Sequence, residues 1–498
     1  MTQRQEQRKM KIKQYKEHKK ARRLAQKALN EAIGKGPQEA INNAKNALKS
    51  VEEQKAEEQK VGIDYVNTIQ RLLPGLLTRL AEVKDFRNPK KIKHKQAVIL
   101  LFAIFWFVFQ KTSRREANRE MTTPIFLENM RLFFKDLDLL PHHDTVNRFL
   151  SQVDINEIDK VLVDLIKHFI RSKKFINYLI DNCYPVAIDG TQKLVYDFLW
   201  ALECQERKAG DGTQYYCSCL EASLVFHNGI VLPLATEFFD YIQGDTGNDK
   251  QDCEQKAFRR LAEKIKGYFP KLKIMVILDG LYPNGPICEI CRRYKWQFMI
   301  VLPDNCLKSV WEEYYALKKL EGKRKEKIRW ADREQEFMWV NEISYTYGKK
   351  EQIFHVVVCE EYWREIGKDG SIEQKQSKHA WISSEPFTKR NLHERCNLGA
   401  RHRWGIENGF LVEKRFGYQY EHTFSFNWNA MKGFHILMRI AHMINTLVQH
   451  GSKLLRAIFA QNGMKATIKY LDEIFRKNVF DIALVMKSLA QRCQIRFT

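Results

Sequence analysis

Acidic charge is what this sequence is short of. Its 60 Asp and Glu stand against 83 Lys and Arg over 498 residues, leaving a net charge of +23 at pH 7. A surplus of that size calls for a polyanionic partner, and nucleic acid leads that class. Long apolar runs are also missing. The longest, Ala97 to Phe109, has 13 residues, against roughly 20 for a transmembrane helix, which argues against a membrane span. The first 23 residues hold no apolar stretch ahead of a small-residue cleavage site, so no export signal is expected. Cysteine offers no disulfide framework either: the 11 are odd in number and scattered. Free thiols in a reducing, cytoplasmic setting are expected. What remains is a globular balance, 44% hydrophobic and 29% charged, which excludes global disorder. The length allows about three domains at ~150 residues each.

Residues 1–30 carry 11 Lys or Arg against two Glu, and 31–60 are rich in Ala, Glu, Lys, Gln and Asn. This stretch reads as a solvated helix or a partly disordered arm, either a basic arm for DNA phosphates or a mobile tail. From 61 to 182 the pattern is helical, with Tyr65, Ile69, Leu72, Leu73, Leu76, Leu77 and Leu80 at helical spacing. A buried helix is expected over the 97–109 run, and Asp144 is expected to cap another. A compact basic helical unit of this kind suits duplex binding. From Tyr184 the pattern turns to strands. Val186 to Ile188 lead into Asp189-Gly190, and Tyr215 to Phe226 and Ile230 to Phe239 flank a hairpin turn at His227 to Gly229. A helix follows over 248–269, then a strand over 273–278 closed by Asp279-Gly280, a helix over 286–294 and a strand over 296–302. The charged segment 308–334 begins as helix. A second hairpin turns at Gly348-Lys349, a short strand is expected over 380–383, and helices resume over 392–413 and 429–450. The middle of the chain is thus a mixed α/β layer structure.

Asp189 and Asp279 share a setting: each follows at least four apolar residues and precedes Gly. A strand ending in an acid sets a carboxylate at a sheet edge within reach of a ligand, although Asp-Gly is also a common turn pair. On the later helix Arg403, Glu407 and Lys414 fall within about 40° of one another, while Gly405 and Gly409 lie on the opposite face. Those glycines cost about 1 kcal/mol each in a helix. They make sense where that face approaches another backbone, such as the sheet. Three acids together have a chemical use, because phosphodiester cleavage must stabilise an incoming and a leaving oxyanion. Two divalent ions about 4 Å apart do both, and carboxylates are their hard ligands.

On Ile188-Asp189-Gly190-Thr191, Leu278-Asp279-Gly280 and Arg403-Trp404-Gly405-Ile406-Glu407 the sequence resembles bacterial insertion-sequence transposases of the DDE type. Arg403, Glu407 and Lys414 stand at the spacing of the YREK signature of one cut-and-paste group. That signature has Tyr three residues before the Arg, where this chain has Ala400. The resemblance implies an RNase H-like mixed-sheet core (183–305 and 385–450) with a β-rich insertion (306–384). Before it would come a basic arm (1–60) and an all-helical DNA-binding domain (61–182), and after it a helical tail (451–498). It implies that Asp189, Asp279 and Glu407 hold two Mg2+ ions, with Mn2+ a substitute. Water then nicks the element end, the freed 3′-hydroxyl forms a hairpin that is reopened, and the end attacks target DNA. Arg403 and Lys414 would grip phosphates, and an aromatic from the insertion, Trp330 or Trp339, would stack on a flipped base. The implied partners are double-stranded DNA, as terminal inverted repeats and target, and further copies of the chain in a homodimer or larger synaptic assembly. A second reading is a catalytically silent DNA-binding regulator derived from a transposase, favoured by Ala400 and opposed by the three acids. A third is a structure-selective nuclease.

Other signals rank lower. Cys217, Cys219, Cys288 and Cys291 do not stand at zinc-finger spacing. His142 and His143 precede a helix and read as surface or capping residues. Glu413 points elsewhere on its helix than Lys414, and Asp240 and Asp245 read as loop acids. The stripe Met431, Phe434, Leu437, Ile440, Ala441, Ile444 and Val448 reads as core.

Overall fold

The computed structural model describes residues 3–32, 50–240, 253–320, 324–367, 371–491 and 497. Much of the arm's second half (33–49), the expected helix start at Asn248, Asp245, and most of the last residues of the tail (492–496) lie outside them. The chain divides into two units, Leu48–Phe298 with Glu394–Thr498, and Met1–Ala47 with Met299–His393.

In the first unit the apolar run becomes the helix Gln96–Val108, buried from Ala97 onward. A helix that is apolar on every side belongs in a core. It lies along the helix Trp428–Gly451. Trp106 stacks on Phe434 with ring centroids 6.1 Å apart, and Asn445 donates to the Val108 carbonyl at 3.0 Å. Helices Val51–Leu72, Arg114–Met121, Pro124–Met130, His143–Leu150 and Ile155–Arg171 belong to the same unit. Their starts follow local chemistry. Ser50 and Glu53 form a reciprocal capping box, and Ser113, Thr123 and Asp154 each accept a first-turn N–H. The cap expected at Asp144 is His142 instead, whose Nδ1 accepts the Asp144 N–H at 3.2 Å. Asp144 sits two positions further in, where its charge meets the positive end of the helix.

The sheet of this unit is organised about β1 (Tyr184–Tyr196). With β2 (Gln205–Ala209), β3 (Gly212–Val225), β4 (Val231–Phe238) and β5 (Ile274–Leu278) it forms a mixed arrangement. β3 runs antiparallel along β1 from Val186↔Leu224 to Tyr196↔Tyr215. β5 runs parallel on the other edge, from Tyr184↔Ile274 to Ala187↔Ile277. β2 and β4 share the far edge of β3 at its two ends. The β3–β4 turn is the expected one, with Gly229 at φ +86°. Asp189-Gly190, however, is not a strand end. β1 continues because β3 still pairs with it as far as Tyr196; the strand that stops at this level is β5.

In the second unit β6 (Gln297–Val301) pairs through 299–301 with β10 (Ile372–Ser383). β10 pairs with β9 (Lys350–Ile366), β9 with β8 (Arg333–Tyr347), and β8 with β7 (Lys325–Trp330), all antiparallel. The β8–β9 turn falls at Gly348, φ +61°. The charged segment begins as helix, Lys308–Leu320, as expected, and its later part forms β7; β10 is longer than the short strand expected at 380–383. Among the described residues no helix is long and apolar enough to cross a membrane.

Candidate active site

Continuing the β1–β5 register two places beyond Ala187↔Ile277 sets Asp189 beside Asp279, with neighbouring strands about 4.8 Å apart. Because β5 has ended at Leu278, it no longer pairs with β1 at this level. Each acid is braced by backbone: Gly190 N–H donates to Asp189 Oδ1 and Leu281 N–H to Asp279 Oδ1, both at 2.9 Å.

The third acid comes from the helix Trp404–Arg415, which follows a π-helical segment, His393–Gly399, and a tight 3-10 turn, Ala400–Arg403. Arg403 is therefore the residue that leads into the helix rather than one inside it. The two glycines do face the sheet, as expected, but they meet side chains rather than backbone. A Cβ at 405 would lie 3.2 Å from Val231 Cγ2 and 3.4 Å from Val225 Cγ1. With the helix seated on β3 and β4, Arg403 reaches both β1 and Glu407. The residue is 7% exposed. Nη2 donates to Glu407 Oε1 at 2.6 Å, while Nη1 stands 3.6 Å from Asp189 Oδ2. The second distance is beyond a hydrogen bond, and Nη1 is buried without a hydrogen-bond partner.

Asp189, Asp279 and Glu407 thus converge from three separate elements, with a guanidinium between two of them. They do not form a tight trio. Among the described residues, the groups of three whose ligand atoms lie within 4.8 Å of one another are His142, His143, Asp144 and Cys219, Glu221, His435. Burial pushes the Asp189 carboxyl up to about 7; Arg403 opposes this, and Asp279, Glu407 and Glu254 push it further. Glu254 carries no motif. It opens the helix Glu254–Tyr268, where an acid reads as an ordinary complement to the helix dipole. Its Oε2 accepts from the buried Tyr282 hydroxyl at 3.1 Å. Its Oε1 lies 2.0 Å from where a Cβ on Gly190 would stand. Gly190, mid-strand, is the one hint of that approach.

Lys414 does not join this group. Its Nζ donates to the Gln192 carbonyl at 3.1 Å and pairs with Glu421 at 3.4 Å, further along β1. Trp404, next to Arg403, is 61% exposed and lies under the guanidinium, 5.3 Å from carbon to ring centroid. Ala400 is buried in its turn. Glu413 points away from the site, fully buried against Arg439 and His442. In the second unit Trp339 is core and Trp330 is half-buried. Cys217, Cys219, Cys288 and Cys291 are buried free thiols, and they are not brought together as four ligands. At the His142 trio, Arg114 Nη1 already lies 3.6 Å from Asp144. Asp240 is half-buried after β4.

Residues 77–166 match a family model described as DDE_Tnp_1-associated, a stretch that ends before β1 and holds none of the acids. A solved structure of a piggyBac transposase synaptic complex with hairpin DNA is similar at a TM-score of 0.34 and 9% identity, over 86% of this chain and 82% of that one. That similarity is too low to define a shared fold. No curated protein sequence matches the chain.

Proposed function

We propose that the chain is a DDE-type DNA transposase of the insertion-sequence, YREK-signature kind, which cleaves and strand-transfers the ends of its own element. The observation that carries the reading is the approach of Asp279 and Glu407 to Asp189, from three elements distant in sequence, with Arg403 between Asp189 and Glu407. The match of 77–166 to a transposase-associated model supports it. The residues fit divalent cations: the donors are carboxylate oxygens, which suit Mg2+ or Mn2+. The acids outnumber the one guanidinium among them, and that guanidinium's Nη1 makes no hydrogen bond. Asp189, Asp279 and Glu407 would hold the ions. When bound, these stabilise the entering and departing oxygens of the phosphodiester.

The chain's own groups do the rest. Arg403 balances Asp189 and Glu407 at rest, and its Nη1, which makes no hydrogen bond, would turn from Asp189 to a phosphate oxygen, where a guanidinium binds well. Lys414 would take a neighbouring phosphate in exchange for its backbone contact. Trp404 offers a stacking face for a base beside the reacting bond. DNA ends and target would be held by a homodimer or larger assembly. The test is cleavage of DNA carrying the element ends. Asp189→Asn is expected to abolish divalent-dependent nicking and keep DNA binding; undiminished nicking by that variant would refute the site assignment.

A further inference from the structure

Four carboxylates, not three, gather at the open edge of β1, and the fourth has its own seat. Side chains alternate across a strand, so the face opposite Asp189 is where a side chain at 190 would project. Gly190 leaves that face bare, and Glu254 Oε1 fills the place, 2.0 Å from the missing Cβ, with its Cδ at 2.6 Å. Any other residue at 190 would displace the carboxylate. On its other oxygen Glu254 is tethered by the Tyr282 hydroxyl at 3.1 Å. Tyr282 follows Asp279 by three residues, and its ring is buried against Phe258, one turn along the helix that Glu254 opens, with centroids 5.6 Å apart. Tyr282 thus ties the loop bearing Asp279 to the helix bearing Glu254. β5 has ended at this level, and Glu254 comes within electrostatic reach of both Asp279 and Asp189. Among the described residues no Lys or Arg pairs with Glu254.

A half-buried carboxylate without a cation is costly to keep charged, and a cap on a helix start would be served as well by a side chain turned to solvent. Holding this one inward, against a glycine and a tyrosine, makes sense where a cation completes it. We propose that Glu254 is a fourth acidic ligand of the cation site, acting beside Asp279, and that Gly190 and Tyr282 position it. The proposal rests on the reading of Asp189, Asp279 and Glu407 as cation ligands.

The test is Mn2+ titration calorimetry on the full chain without DNA. It is paired with backbone cleavage by Fe2+, ascorbate and peroxide, which cuts the chain next to a bound ion. Four variants are compared: Asp189→Asn, Glu254→Gln, Gly190→Ala and Tyr282→Phe, with melting temperature in EDTA as the folding control. The parent is expected to bind Mn2+, and iron is expected to cut near 254 as well as near 189 and 279. Glu254→Gln should weaken Mn2+ at least tenfold and remove the cuts near 254. Gly190→Ala, which keeps the acid but moves it, should follow the same direction, and Tyr282→Phe should do so more weakly. If Asp189→Asn loses Mn2+ while Glu254→Gln and Gly190→Ala bind as the parent does, Glu254 is no ligand and the three-acid site stands. If the parent binds no Mn2+, or Asp189→Asn binds it unchanged, the site reading falls and this inference with it.

Discussion

Arg403 and Trp404 are neighbours with opposite environments, and the contrast says what each can do. Arg403 is nearly enclosed and ion-paired to two acids, so its removal both unbalances charge and opens a hole. Trp404 is 61% exposed, so its ring is open to a partner. Trp404→Ala is expected to leave stability within about 0.5 kcal/mol, as for an exposed side chain. Loss of one stacked base costs about 1–3 kcal/mol, so DNA-end binding or nicking should weaken roughly 5- to 150-fold. Unfolding midpoints and end-cleavage rates measured side by side check this, and an unchanged rate would remove the stacking role. At this scale the sequence exposes the acids that stand in patterns, since an Asp after an apolar strand and an Arg-Glu pair one turn apart can be read locally. Glu254 cannot be read that way. Its relevance depends on a glycine 64 positions earlier and a tyrosine 28 positions later, which only the fold brings to it.

At the scale of elements, the site helix and the long core helix are joined beneath the sheet by buried charge. Arg439, on Trp428–Gly451, donates to Glu413 at 2.9 and 3.2 Å and to Ser223 at 3.0 Å, and lies 3.4 Å from Glu221. Glu221, on β3 directly opposite Asp189, also accepts from Thr236 at 2.7 Å and sits 2.7 Å from His435 Nε2. Cys219 lies close to this pair, yet burial and then Glu221 push its thiol well above its ordinary value. A thiolate ligand is thereby disfavoured, and the trio reads as a core network rather than a metal centre. Arg439→Met would strand two buried acids and is expected to cost about 3–5 kcal/mol in urea unfolding. Burial opposes the charge on Glu221, and Arg439 and His435 outweigh it, holding the carboxyl at about 2 against an ordinary 4.5. A carboxyl depressed on folding contributes in full above 4.5 and loses its contribution as pH falls toward 2. Urea midpoints should therefore drop across that window, and Glu221→Gln should flatten the drop. Elements of this kind were partly legible. The apolar strands β1 and β5 and the buried helix Gln96–Val108 announce themselves by composition. β7 does not: its exposed and half-buried residues alternate in a Lys- and Glu-rich segment, and pairing with β8, not local preference, makes it a strand.

For the molecule as a whole, the charge of +23 and the acidic site pull in different directions. A cluster of carboxylates repels a phosphate backbone, so under the proposed function the attraction would come from elsewhere on the chain and the cluster would be neutralised locally. The helix Gln3–Ala32 would be one source: Lys19, Lys20, Arg22 and Arg23 are all exposed on it. Each phosphate neutralised by a protein cation releases counterions, and the logarithm of affinity falls with the logarithm of salt at about −0.9 per contact. If all four residues meet the backbone, replacing them together with Gln in the full chain should make that slope shallower by up to about 3.6. Weakening should be similar for end-sequence and unrelated duplexes, because phosphate contacts carry no sequence information. Fluorescence anisotropy against both duplexes from 50 to 300 mM salt, a range of the order over which such contacts are lost, measures it. An unchanged slope would make this helix a bystander and leave the basic stretch Lys90 to Lys95, ahead of the buried helix, as the next surface to neutralise.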